Sequence, residues 1–403
     1  MSKLTYKHTL TACFNGYIVQ AIINNFIPLL FLTFNRTFDI SLTKITFLVS
    51  FNFGFQLLVD AISVKFVDKI GYRLSTVIAH IFSALGLILL AFLPYIFNDA
   101  FTGIIISVAV YAIGGGMIEV LISPIAEFSP TENKEKTMSL LHSFYCWGHV
   151  LVVLISSIFF WLFGIENWRV LSILWAIIPI ANVLLFLKVP INEPDKQVAQ
   201  KGEFKRLFLN KTFWIMIVLM LCAGASEQAV SQWASTFAEK TLGIRKEVGD
   251  LAAPMMFAIF MGSSRSFYGK YGHRININSF MLYSGGLCVI SYLLIALSNN
   301  PILGLIGCAL SGLSVGIMWP GTFSISSKIL KGGTSMFGLL AMAGDIGCMA
   351  GPALVGIISK EYDGNLKAGI LSAAIFPLVL ITLLFLISKN SKASTQKGGN
   401  YGL

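Results

Sequence analysis

The chain has 403 residues, of which 56% are hydrophobic and 12% charged, against about 25% charged in an ordinary soluble domain. That balance excludes a soluble globule and points to a polytopic membrane protein. The net charge of +10 does not mark a nucleic-acid binder, because the bases lie in short connections between apolar runs and form no basic domain.

Twelve apolar segments follow one another, at 9–34, 44–67, 74–96, 102–126, 138–163, 169–189, 212–239, 247–268, 275–297, 302–328, 334–359 and 367–388. Most are long enough to cross about 30 Å of hydrocarbon, where a lipid-exposed chain satisfies its backbone as a helix. The first run is too long for the core of a cleaved signal. Gly, Pro, Asn and Asp punctuate the connections. Residues 1–189 are expected to form one six-helix bundle and 212–389 a second. Between them, 190–211 reads as a cytoplasmic linker, and 390–403 as a disordered cytoplasmic tail. Most of the 29 Lys and Arg residues share a side with the N-terminus, which places both termini in the cytoplasm of a cell that carries the chain in its inner or plasma membrane. The six cysteines, Cys13, Cys146, Cys222, Cys288, Cys308 and Cys348, lie inside apolar runs without metal-ligand spacing. They read as packing thiols, and no metal or cofactor is expected.

Acids inside such runs are expensive, about 2.5–3.5 kcal/mol each on insertion scales, and normally mark a function. Glu119 follows Gly114-Gly115-Gly116 in span 4, on a small polar face with Ala112 and Ser123. Glu227 lies halfway through span 7, with Gln228, Gln232 and Trp233. Asp345 lies deep in span 11. These three are the proton-coupling candidates. Amides both donate and accept, which suits a neutral polyol. Gln20 and Asn24 of span 1, Asn52 and Gln56 of span 2, Gln228 and Gln232 are therefore substrate-binding candidates. His142 and Tyr145 of span 5 join them as a possible relay. Trp233 and Trp319 join them as rings that can stack on a sugar. Asp60 falls one turn beyond Gln56, nearer the following loop than the substrate.

The two halves echo one another. Asp68-Lys69-Ile70-Gly71-Tyr72-Arg73 joins spans 2 and 3, and Gly269-Lys270-Tyr271-Gly272-His273-Arg274 joins spans 8 and 9. Span 4 from Gly114 to Pro124 matches span 10 from Gly312 to Pro320. Two parallel repeats with a site at their seam is a transporter design.

The Asp68–Arg73 loop resembles the signature of the major facilitator superfamily, Gly-x-x-x-Asp-Arg/Lys-x-Gly-x-Arg/Lys. It keeps Asp68, Lys69, Gly71 and Arg73, with Val64 in place of the first glycine. The resemblance implies an all-α polytopic membrane protein of twelve transmembrane helices in two pseudo-symmetric six-helix bundles, expected to be a monomer. It also implies that Asp60, Asp68, Lys69, Gly71, Arg73 and Arg274 serve a conformational switch. The stretches Gly114–Glu119, Gly224–Trp233 and Met318-Trp319-Pro320 are similar to the fucose–galactose–glucose:proton symporter branch. That branch implies symport of a sugar-like small molecule with a proton. The acid it carries on helix 1 is absent here, which shifts coupling onto Glu119 and Glu227. The competing expectation is proton-driven drug efflux, which the 32 phenylalanines fit and the amide-rich faces do not. No paired nucleophile and base, metal cluster or phosphate loop suggests an enzyme.

Overall fold

The computed structural model describes residues 4–131, 134–192, 207–330 and 334–398. Most of the expected linker, 193–206, lies outside them. The described residues are helical and contain no strand. Seven membrane-length helices run α1 Tyr6–Phe38, α2 Leu42–Ile70, α3 Tyr72–Ile96, α4 Ala100–Phe128, α5 Lys134–Phe163, α6 Ile165–Phe186 and α7 Lys211–Thr241. The second half continues with α9 Ile277–Leu297, α10 Pro301–Ile329, α11 Thr334–Glu361 and α12, built from Leu366–Ala373 and Ile375–Gly398. Between α7 and α9 runs α8. It comprises Lys246–Asp250, a π-helical Leu251–Met255 that contains Pro254, and Met256–Tyr271. Among the described residues, eleven helices are long and apolar enough to span a bilayer. The expected span 247–268 differs because Pro254 cannot donate to Asp250, so the helix widens there. The last helix also differs from expectation. Its backbone is helical to Gly398, where disorder was expected from residue 390, because 389–397 contains neither Gly nor Pro to stop it.

The starts of these helices follow from their first residues. Ser41, Asp99, Asn210, Asn276, Asn300 and Asn365 each accept a hydrogen bond from a backbone N–H of the first turn. Each such cap is worth about 1 kcal/mol. The breaks are also sequence-coded. Proline clashes with the carbonyl four residues back, and α6 breaks at Ala176 before Pro179 while α12 breaks at Ala374 before Pro377. α10 breaks at Gly316–Ile317 before Pro320.

Packing repeats with a shift of six helices. α1 packs on α5 as α7 does on α11; α2 on α4 as α8 on α10; and α3 on α4 as α9 on α10. Two seams join the halves, α2 against α11 and α5 against α8, and the same shift exchanges them. The fold is therefore two pseudo-symmetric six-helix bundles. Outward faces carry exposed apolar side chains such as Ile96, Trp161, Tyr283 and Leu297, which a bilayer would cover.

The seam is shut at one end. Arg36 of α1 pairs with Glu239 of α7 at 2.7 Å, the Phe31 and Trp233 rings meet at 5.6 Å, and Gln232 Nε2 donates to the Asn24 carbonyl at 3.2 Å. At the other end, where Arg73 lies, Glu119, Arg265, Trp319, Phe323 and Ser324 are each partly exposed along the seam.

Candidate functional site

The α1 and α2 amides form one ladder. Gln20 and Asn24 stand one turn apart on α1, Asn52 and Gln56 one turn apart on α2, so the two pairs face each other. Gln20 Nε2 donates to Gln56 Oε1 at 3.0 Å. Gln56 Nε2 donates to Asn24 Oδ1 at 2.8 Å and to Asn52 Oδ1 at 2.9 Å. Asn52 Nδ2 donates to Asn24 Oδ1 at 3.2 Å. Gln20 Nε2 also reaches Glu119 Oε2 of α4, at 3.2 Å. Gly115 and Gly116 explain that reach. A Cβ on Gly115 would meet Gln56 Oε1 at 2.7 Å, and one on Gly116 the Gln56 carbonyl, also at 2.7 Å. Only glycines let α2 and α4 close to this distance. Asn24, Asn52 and Gln232 also line a void of about 10 Å³ toward the shut end, room for roughly one water.

A matching chain of polar contacts runs through the second half. Arg265 Nη2 of α8 donates to Glu227 Oε2 at 2.8 Å. Gln228 Nε2 donates to Glu227 Oε1 at 3.3 Å, and Gln232 Nε2 to Gln228 Oε1 at 3.0 Å before crossing to Asn24. Arg265 Nε donates to the Gly316 carbonyl at 3.3 Å. Pro320 has no N–H to give that carbonyl, so the guanidinium fills the gap left by the α10 break. Arg265 is not among the residues that the sequence singles out. Its signal was the pairing of Gly262-Ser263-Ser264-Arg265 with a proline-broken helix in the same half.

Between the two chains lies an aromatic wall. The Tyr17 hydroxyl and Ser123 Oγ are 2.9 Å apart, and the Tyr17 and His142 rings are 5.3 Å apart. Asn25 Nδ2 donates to the Tyr145 hydroxyl at 3.4 Å. Glu119 and Glu227, from opposite halves, are close enough to act on each other electrostatically.

The structure does not bring every expected residue together. Trp233 is fully buried at the shut end, donating Nε1 to the Pro352 carbonyl at 3.0 Å against Phe31. It packs the seam there. Trp319 is partly exposed, and its ring covers Gly344 of α11. Asp345 lies next to that glycine, against Asp60 of α2, with Glu119 near enough to act on it electrostatically. The switch residues are dispersed. Gly71 turns the chain with φ of 82°, and Arg73 donates to the Phe186 and Val189 carbonyls at 2.7 and 2.8 Å, closing the end of α6. Arg274 is exposed at the turn before α9. The side chains of Asp68 and Lys69 lie outside the described residues. Among the described residues no group of His, Cys, Asp or Glu has metal-binding geometry.

Two six-helix halves, a polar seam open at one end, and an apolar exterior define a membrane transporter. The Major Facilitator Superfamily profile matches residues 10–352, and the chain belongs to that family. No curated protein matches it by sequence. Among solved structures it is similar to the xylose:proton symporter (TM-score 0.77, 14% identity, 94% of this chain and 96% of that one). It is also similar to the fucose:proton symporter of E. coli (0.67, 16%, 95% and 99%). A third likeness is to a bacterial homologue of the human lysosomal transporter Spinster, inward-facing and unoccupied (0.75, 14%, 96% and 98%).

Proposed function

We propose that the chain is a proton-coupled symporter of a sugar or related polar small molecule, working by alternating access as a monomer. The observation that carries this reading is the contrast between Glu119 and Glu227. Glu227 has its charge met by Arg265 at 2.8 Å. Glu119 is partly exposed at the open end of the seam, holds one amide hydrogen bond, and has no cation within ion-pair distance among the described residues. Within a membrane span such a carboxylate is the group that gains most from taking a proton. Glu227 with Arg265 then acts as a fixed dipole that orients hydroxyls. Gln20, Tyr17 and His142 offer donors and acceptors around the same opening. Asn24, Asn52, Gln56, Gln228 and Gln232 hold the closed floor beneath it. The sugars named for two of the similar structures support the substrate class.

With both termini cytoplasmic in the inner or plasma membrane, the Arg36–Glu239 end is external and the structure is inward-facing. A proton and a solute would enter together when that end parts and leave together on the side now open.

Uptake of labelled monosaccharides into proteoliposomes, with and without an inward proton gradient, tests the reading. Gradient-driven accumulation is expected for the natural chain. Glu119→Gln is expected to abolish accumulation while keeping exchange of labelled for unlabelled sugar. Accumulation indifferent to the gradient, or kept in Glu119→Gln, refutes proton coupling through this residue.

A further inference from the structure

A second acidic contact crosses the seam, apart from Glu119 and Glu227. Asp60 of α2 and Asp345 of α11 are 6% and 8% exposed, and the register of the α2–α11 contact sets their carboxyl groups against each other. Asp60 Oδ1 and Asp345 Oδ2 are buried, and each lacks a hydrogen-bond partner. An ionised carboxylate is an acceptor only, so a hydrogen bond between two carboxyl groups requires a proton on one of them. Two bare carboxylates at that separation repel strongly where water is excluded. Backbone and small residues hold the pair in place. A Cβ on Gly116 would sit 2.6 Å from Asp60 Oδ1, so α4 presses on it from behind. Among the described residues the titratable groups that act on the pair are Glu119, across on α4, and the Cys348 thiol, one turn along α11. Both add negative charge when ionised, and no described cation pairs with either aspartate.

The pair sits on the α2–α11 seam itself. That contact begins at Thr46 against Gly356, continues at Gly54 against Met349, and ends at Asp60 against Asp345, about 21 Å of α2. We propose that Asp60 and Asp345 share one proton across the seam, which locks α2 to α11 at this level until it leaves to solvent. With the proton bound the two helices are joined by a hydrogen bond. Without it the same two groups push them apart. The lock rests on the halves moving against each other, as alternating access requires, and needs neither the sugar nor a proton on Glu119.

The test reads conformation in the absence of any solute. Phe128 and Ile329 are exposed at the open ends of α4 and α10, and the six native cysteines are buried, so Phe128→Cys with Ile329→Cys gives a selective spin-label pair. In nanodiscs, the distance between the labels is expected to lengthen as pH rises. In Asp60→Asn and in Asp345→Asn it is expected to stay short at every pH, because an amide donates to the remaining carboxylate without a borrowed proton. Glu119→Gln removes a nearby negative charge, so it is expected to keep the lengthening and move its midpoint to lower pH, which separates the lock from the transport proton. A natural chain that does not respond to pH overturns the proposal. So does a response surviving in both asparagine variants, or one lost in Glu119→Gln alone. Infrared spectroscopy gives an independent readout that does not need the labels. A protonated-carboxyl band present in Glu119→Gln should vanish when either aspartate is also changed to asparagine, and its persistence in both double variants overturns the shared proton.

Discussion

Arg265→Leu should be far more damaging than its place near the end of α8 suggests. The guanidinium and the Glu227 carboxylate touch at 2.8 Å, with their side chains 12% and 7% exposed. Charge centres about 4 Å apart attract by about 4 kcal/mol at an effective dielectric of 20. Desolvation offsets much of that, so the intact pair adds little net stability. Removing one member is a different matter. Leucine leaves Glu227 buried with only Gln228 as a donor, which costs about 3–5 kcal/mol. It also orphans the Gly316 carbonyl, for about 1–3 kcal/mol more. Glu227→Gln strands the guanidinium in the same way. The double variant strands neither charge, so it should be less destabilised than the two single losses added together, by about 2–3 kcal/mol of coupling. Reversible detergent-induced unfolding in mixed micelles, run as a double-mutant cycle, measures this. Additivity within about 0.5 kcal/mol would show that Arg265 and Glu227 do not function as a pair, and would remove the contrast with Glu119 on which the coupling reading stands.

Gly347→Val should destabilise by about 1–3 kcal/mol, because a Cβ there runs into the Leu221 carbonyl and the Ala225 amide of α7. Gly286→Val, which meets nothing within 4 Å, is the matched control, and equal losses in the same unfolding assay would contradict the packing. Asp99 caps α4, and its hydrogen bond from Thr102, helped by Lys44 and the Phe101 amide, holds its carboxyl below the usual carboxylate range. A depressed folded value means its support is present above about pH 4 and is lost as pH falls through the folded value. The protection of the Phe101 amide against deuterium exchange, relative to its intrinsic rate at each pH, should therefore fall at acid pH, and Asp99→Asn should flatten that dependence.

The fold was legible because its signals are local. Each span needs an apolar run of known length, each cap needs Ser, Asp or Asn at one position, and each break needs a proline three or four residues on. The amide ladder was partly legible for the same reason. Four-residue steps place Gln20 with Asn24 and Asn52 with Gln56 on shared faces. Their saturation of one another was not legible, because it depends on how closely Gly115 and Gly116 bring α2 to α4. Arg265 was hidden by an ordinary rule. A base near the end of an apolar run is usually in a loop, and only the missing N–H of Pro320, fifty-five positions on, gives it a reason to turn inward. The Asp60–Asp345 contact joins helices from opposite halves, and no spacing within one helix encodes a meeting of that kind.

The glycines show why the halves can move as bodies. Within each half, helices interlock against backbone. A Cβ on Gly347 would strike the Leu221 carbonyl, one on Gly312 the Phe257 carbonyl, and one on Gly103 the Leu93 carbonyl. Backbone cannot turn aside, so these contacts fix α7 on α11, α8 on α10 and α3 on α4. Across the seam the pattern changes. Gly54 faces the Met349 sulfur, Gly262 faces Cys146 and the Trp147 ring, and Gly356 faces the Thr46 side chain. These neighbours can change rotamer. The remaining described polar contacts of the seam also end mostly on side chains, as in Arg36–Glu239 and Asp60–Asp345. A boundary made of side chains can be remade in a second arrangement at little strain, whereas one keyed into backbone has a single fit. The chain thus keeps its rigidity inside each bundle and its freedom between them, and the groups that respond to charge lie on the side where movement is possible.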